Sequence, residues 1–169
     1  GEGNPTPEYT YGVFLAEVEV EVATGKTKVL GMHCVADVGT VGNYLAVDGQ
    51  AYGGMMHSIG FALCEDYSDV KKHDNMIGAG FPFIEMIPDG DNFTVEYVTT
   101  PRPTGPHGSS GCSEMFQSSG HAAILNAIYN ACGVRIYDLP ATPEKVKAGL
   151  EALEKGEVAP PLPYYLGGD

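Results

Sequence analysis

The stretch Tyr11 to Val22, YGVFLAEVEVEV, constrains the fold more than any other part of the chain. Val18, Val20 and Val22 alternate with Glu17, Glu19 and Glu21, a period of two that suits a strand with one wet face and defeats a helix. Thr24-Gly25 then supplies a turn, and the apolar-rich Lys28 to Val38 follows as a second strand, which predicts a β-hairpin. Alternate glutamates on a half-exposed strand need no metal to explain them.

Gln50 to Leu63, QAYGGMMHSIGFAL, is apolar over about four turns and predicts a helix, yet it contains Gly53, Gly54 and Gly60. Each glycine costs roughly 1 kcal/mol relative to alanine in an exposed helix. Such a helix must gain its stability from close packing, with the missing side chains admitting a neighbouring backbone or a ligand. His57 on this helix reads more simply as a packed histidine than as a ligand.

Pro88-Asp89-Gly90-Asp91 predicts a turn, and the alternating Phe93 to Thr99 a strand after it. Asp89 and Asp91 resemble a fragment of a calcium loop, but no glutamate stands at the closing position. From Ser118 or Ser119 as N-cap, a small-residue apolar helix runs to Gly133. A second helix opens at Thr142 with Pro143 in its first turn, buries Val146, Leu150 and Leu153, and ends at Gly156. The order of hairpin, helix, strand, loop and two helices is an α+β domain.

The 169 residues suit one domain with a real core. With 9 Lys and Arg against 22 Asp and Glu, the net charge of -13 argues against nucleic acid or an anionic membrane surface as partner. The four cysteines, Cys34, Cys64, Cys112 and Cys132, form no C-x-x-C pair and no disulfide framework. Reduced thiols, and hence a cytoplasmic setting, are expected. No apolar run approaches the roughly 18 residues of a membrane span.

Gly105 to His121, GPHGSSGCSEMFQSSGH, surrounds one carboxylate, Glu114, with glycine and serine. Small residues ahead of a helix can turn several backbone N–H groups toward one point and bind an anion, which Gly108 to Ser113 could do. Glu114 would stand at the rim, where burial would raise its proton affinity toward that of a general base. Read locally, it serves more simply as a carboxylate stabilising a helix N-terminus. Gly108-Ser109-Ser110-Gly111 is not a G-x-S-x-G nucleophile elbow, because the second glycine comes one residue early. Serine catalysis with His107 or His121 is therefore poorly supported, and Cys112 lacks a cationic partner to stabilise its thiolate.

Taken together, AEVEVEVATGKTKVL, DVGTVGNYLAVDGQAYGGMMHSIGFALCED, GPHGSSGCSE and NAIYNACGVRIYDLPATPEKV resemble the C-terminal part of the molybdenum-binding subunit of the xanthine oxidase family. Within it they are similar to the aldehyde oxidoreductases that use molybdopterin cytosine dinucleotide. The resemblance implies a C-terminal molybdopterin-binding domain over residues 1–158 and a proline-rich tail over 159–169. It implies oxidation of aldehydes to carboxylic acids with water as oxygen source and Glu114 as general base. Hydroxylation of a heteroaromatic ring, or a non-catalytic cofactor-binding fragment, are the alternatives.

By the same resemblance, Gly42, Asn43, Tyr44, Leu45, Ala46, Val47 and Gln50 contact the pterin dinucleotide. Ser110, Gly111, Cys112 and Ser113 lie beside pterin and metal. Backbone N–H groups and amide side chains suit such a ligand because they add no negative charge to an anion. No residue here would ligate molybdenum directly, the metal being held through the pterin. The chain has no cysteine motifs for 2Fe–2S clusters, which are expected on the remaining molybdenum-domain chain or on an iron–sulfur domain or subunit. The full enzyme is expected to be a homo-oligomer. Three positions depart from the common family pattern: Asn43-Tyr44 replaces Asn-Pro, His57-Ser58 replaces Gln-Gly, and Ser113-Glu114-Met115 replaces Gly-Glu followed by proline.

Overall fold

The computed structural model describes residues 8–157, so the expected boundary at residue 158 and the tail over 159–169 lie outside the described residues. The hairpin forms as the alternation predicts, from β1 (Tyr11–Glu21) and β2 (Lys26–Asp37) paired antiparallel. Its turn is closed by Gly25 N–H donating to the Glu21 carbonyl at 2.7 Å. Glu17 pairs with Gly31 and Val18 with Val29, so Leu30 is an extra residue on β2 that bends the ladder. A third strand, β3 (Phe93–Tyr97), is shorter than expected and lies parallel to β2, giving the order β1-β2-β3.

Parallel pairing needs a long crossover. It contains α1 (Tyr44–Leu63), which begins six residues before the position expected from its apolar pattern. The reason is local: Asn43 is extended and its side-chain oxygen accepts from the Ala46 N–H at 3.1 Å, the bond of an N-cap. The Tyr97 hydroxyl, at the end of β3, donates to Asp48 Oδ1 at 2.7 Å and ties the start of the helix to the sheet.

After β3 come a short helix absent from the expectation, α2 (Met115–Ser118), then α3 (Gly120–Cys132) and α4 (Pro143–Glu154). Ser119 precedes α3 without a capping bond, and the Ser118 hydroxyl instead donates to the Met115 carbonyl at 2.8 Å. Gly133 stops α3 in a left-handed conformation, φ 78°. Thr142 caps α4 through the Lys145 N–H and Pro143 occupies its first turn, both as predicted. Along α4, Val146 is fully buried and Leu150 partly so, but Leu153 stands 38% exposed.

The core lies where α1 and α3 cover one face of the sheet. Met32, Cys34 and Ala36 point inward from alternate positions of β2. Ala51, Met55, Ile59 and Ala62 meet them from α1, with Ile124 and Ile128 from α3 and Phe116 from α2. The opposite face of β1 is wet at Glu17, Glu19 and Glu21, but its first half also leaves Val13 72% and Leu15 61% exposed. The architecture is the mixed α+β class read from the sequence.

Candidate functional site

Two close contacts set the site's geometry. A side chain at Gly54 on α1 would place its first carbon 2.6 Å from Cβ of Phe116 and 3.0 Å from the Gln117 nitrogen, so the backbone of α2 lies directly on the helix. One turn later, the buried Ser58 hydroxyl donates to the Gln117 carbonyl at 3.1 Å. The glycine therefore serves the close packing that the sequence demanded of this helix, and it brings the start of α2 against the middle of α1.

Glu114 immediately precedes α2. Its carboxylate makes no capping bond, so stabilisation of the helix end through a hydrogen bond is not how it is used. It faces a cavity of about 240 Å³ whose other lining residues are Gly49, Gln50, Gly53, Gly54, His57, Ser113 and Gln117. Glu114 is the one carboxylate in that lining. It is exposed on this chain, so the burial anticipated for it is not supplied by the described residues.

The glycine loop is held from three sides. The Gly108 carbonyl accepts from Thr40 N–H at 2.9 Å and from Arg102 N–H at 2.8 Å, Ser110 N–H donates to the Val38 carbonyl at 2.9 Å, and Gly39 and Ser109 form an isolated antiparallel bridge. Gly108 has φ 83°, and a side chain there would meet Pro101 Cβ at 2.9 Å, so only glycine fits. The N–H groups of Gly108, Ser109 and Ser110 are spent on carbonyls within the fold. Those of Gly111, Cys112 and Ser113 donate to none among the described residues, which narrows the anticipated cradle to these three.

Arg102 anchors the base of the loop. It is 7% exposed beside Asp37 at 16%, with a 3.0 Å ion pair between them. Its guanidinium also donates to the carbonyls of Tyr9, Thr100 and Asp37 at 3.0, 2.7 and 2.8 Å. Burial works to raise the Asp37 pKa, but hydrogen bonds from Thr100, Gly39 and Arg102 outweigh it and hold it at about 2.

The other sequence-predicted residues fall in different places. Gln50 and Ser113 share the cavity with Glu114. Ser110 and Gly111 line a separate cleft of about 290 Å³ with Glu8, Thr104, Gly105, Pro106 and Ser109. In that cleft, hydrogen bonds from the Thr104 hydroxyl and backbone hold the Glu8 carboxyl below its ordinary range. Cys112 packs partly buried against the core. Gly42 lies just before α1, Asn43 caps it, and Tyr44 to Val47 form its first turn, away from the cavity's lining.

Gly49 and Gln117 are not among the expected site residues, and Gly53 is expected only as a helix glycine that admits a neighbouring backbone or a ligand, although the signal for all three is present. Ala46, Gln50, Gly53 and His57 recur at helical spacing on one face of α1, and Gln117 lies one turn after Glu114. Side chains added at Gly49 or Gly53 would meet nothing within 4 Å, so both open onto the cavity. A larger cleft of about 650 Å³, lined by Met76, Ile77, Phe81, Pro82, Phe83 and Ile84 with Asn75, carries no ionisable group.

Comparison with known proteins decides the family. Residues 1–88 match the family described as the molybdopterin cofactor-binding domain. The chain belongs to that family. It is 57% identical over 90% of its length to an aldehyde oxidoreductase of Megalodesulfovibrio gigas, of which it spans 16%. The solved aldehyde oxidoreductase of Desulfovibrio desulfuricans superposes with a TM-score of 0.82 at 56% identity, over 88% of this chain and 16% of that one. The nicotine 6-hydroxylase large subunit of Paenarthrobacter nicotinovorans is 32% identical over 83% of this chain, which spans 18% of it.

Proposed function

We propose that this chain is part of a molybdenum hydroxylase that oxidises aldehydes to carboxylic acids with water as the oxygen source, and that Glu114 is its general base. The observation that carries the reading is the position of Glu114. It is the lone carboxylate of a polar cavity, at the end of a glycine loop, with no capping bond to occupy it. The 57% identity to an aldehyde oxidoreductase, against 32% to a nicotine hydroxylase, favours an aldehyde over a heteroaromatic ring.

The residues present fit a molybdenum–pterin dinucleotide. The first turn of α1 contains no acidic residue, so its positive end is uncompensated and suits the pyrophosphate of such a ligand. Asn43 and Gln50 lie about 10 Å apart along the helix axis, which suits an extended ligand running from the helix N-terminus toward the cavity. Side chains at Gly42 and Gly111 would meet nothing within 4 Å, leaving both backbones open to close approach. The N–H groups of Gly111, Cys112 and Ser113, which donate to no carbonyl among the described residues, and the Gln50 amide would hold the ligand, which we assign as the cytosine dinucleotide form. When bound, that cofactor supplies the two-electron oxidation of the substrate carbon.

The chain's own contribution is to orient the ligand and to remove a proton. Glu114 Oε accepts a proton from the oxygen nucleophile as it forms its bond to carbon, and Gln50, Ser113 and Gln117 provide neutral donors around it. The rest of the protein or a partner subunit would hold the 2Fe–2S clusters that take up the electrons, in what we infer to be a homo-oligomeric enzyme. No helix of the described residues is long and apolar enough to cross a membrane. The four cysteines are free thiols, which suits the reducing cytoplasm.

Glu114→Gln in the full-length enzyme tests the assignment. Molybdenum content should stay at the wild-type level while aldehyde turnover falls about 100-fold or more. Turnover within a few-fold of wild type would remove Glu114 from the chemistry.

A further inference from the structure

The cavity holds a second group that the function above leaves unused. His57 faces it from α1, opposite the start of α2. Its ring is fixed by edge-on packing against Phe81, with centroids 5.8 Å apart and planes at 86°, and its nitrogens take part in no hydrogen bond among the described residues. Glu114 is the mirror case: its carboxylate caps no helix and accepts from no donor among the described residues. The remaining lining is neutral, namely glycine backbone, Gln50, Ser113 and Gln117.

The two banks are tied together beside the cavity. Ser58, adjacent to His57, bonds to Gln117, three residues beyond Glu114, and the backbone contact at Gly54 leaves no slack between the helices. What stays free is the Glu114 side chain, whose several torsions must be held in one state for a proton to be taken efficiently. A cavity of about 240 Å³ leaves room for several waters at about 30 Å³ each. A water accepting from an imidazole N–H and donating to a carboxylate is a near-equivalent of a direct bond.

We propose that His57 is a positioning residue for Glu114, holding its carboxylate toward the cavity interior through bridging water. The inference rests on reading Glu114 as the base.

The test uses the full-length enzyme carrying His57→Phe, which keeps the ring against Phe81 but removes the N–H, and His57→Gln, which restores a donor. Crystal structures should show Glu114 in one rotamer in wild type and His57→Gln, and in another rotamer or several in His57→Phe. kcat should fall about 10-fold or more in His57→Phe, with KM and molybdenum content within twofold of wild type, and should largely recover in His57→Gln. An unchanged Glu114 rotamer in His57→Phe overturns the proposal, as does equal impairment of the two variants. If His57→Phe fails to fold, His57→Ala supplies the same rotamer comparison. Glu114→Gln is run beside them: were it to retain turnover, the base assignment would fail, while the rotamer comparison would still decide whether His57 orients the carboxylate.

Discussion

The Ser58 hydroxyl donates to the Gln117 carbonyl at 3.1 Å, joining the middle of α1 to the short α2 that follows Glu114. Because Ser58 is fully buried, this bond exchanges with no water, and together with Gly54 it sets the width of the cavity. The hydroxyl adds one hydrogen bond to a contact already made tight by backbone at Gly54.

Gly54 and Gly53 make a paired test of that contact. Gly54→Ala drives a methyl into Phe116 and the Gln117 backbone and should destabilise the full-length protein by about 1–3 kcal/mol. At Gly53 the methyl meets nothing within 4 Å, so Gly53→Ala should leave stability unchanged or raise it by up to about 1 kcal/mol. Thermal unfolding of the two variants reads the difference, and equal losses would show that the α1–α2 approach does not depend on glycine.

Acid should loosen the base of the glycine loop. Asp37 is held at about 2, below the roughly 3.9 of an unfolded aspartate. Its contribution is therefore fully present above pH 4 and is lost as pH falls from about 4 through about 2. At 16% exposure, and after discounting for solvent screening, that contribution is on the order of 1–2 kcal/mol. Asp37→Asn should be less stable at pH 7, because Arg102 remains buried without its counter-charge, and its denaturant midpoint should vary less than the wild-type midpoint between pH 5 and pH 3.

Cys34 should be chemically silent in the native protein. Burial pushes its thiol up to about 12, so at pH 8 roughly one molecule in ten thousand carries the thiolate. Iodoacetamide at pH 8 should leave Cys34 unmodified by mass spectrometry until denaturant is added. Rapid native labelling would contradict the packing of β2 against α1 and α3.

Much of the fold was legible because its signals are local. Glu17, Val18, Glu19 and Val20 set a period of two whatever lies around them, Gly133 tolerates the left-handed conformation that ends a helix, and Thr142 with Pro143 starts one. Two features escaped. The apolar pattern of α1 begins only at Gln50, whereas the helix begins at Tyr44 because the Asn43 side chain caps it. The four residues of α2 are too few to show a period, and they form where Gly54 admits their backbone.

What the sequence determined by itself is the strand alternation, the helix ends, and a lone acid in a glycine loop, since each depends on residues a few positions apart. Tertiary structure decided which of those residues meet. Glu114 shares a cavity with Gln50 and His57, while Ser110 and Gly111 turn to another cleft and Gly42 to Val47 remain at the far end of α1. The physical reason is contact distance: residues more than fifty positions apart become neighbours only where two backbones can approach, and here the absent side chain of Gly54 lets them.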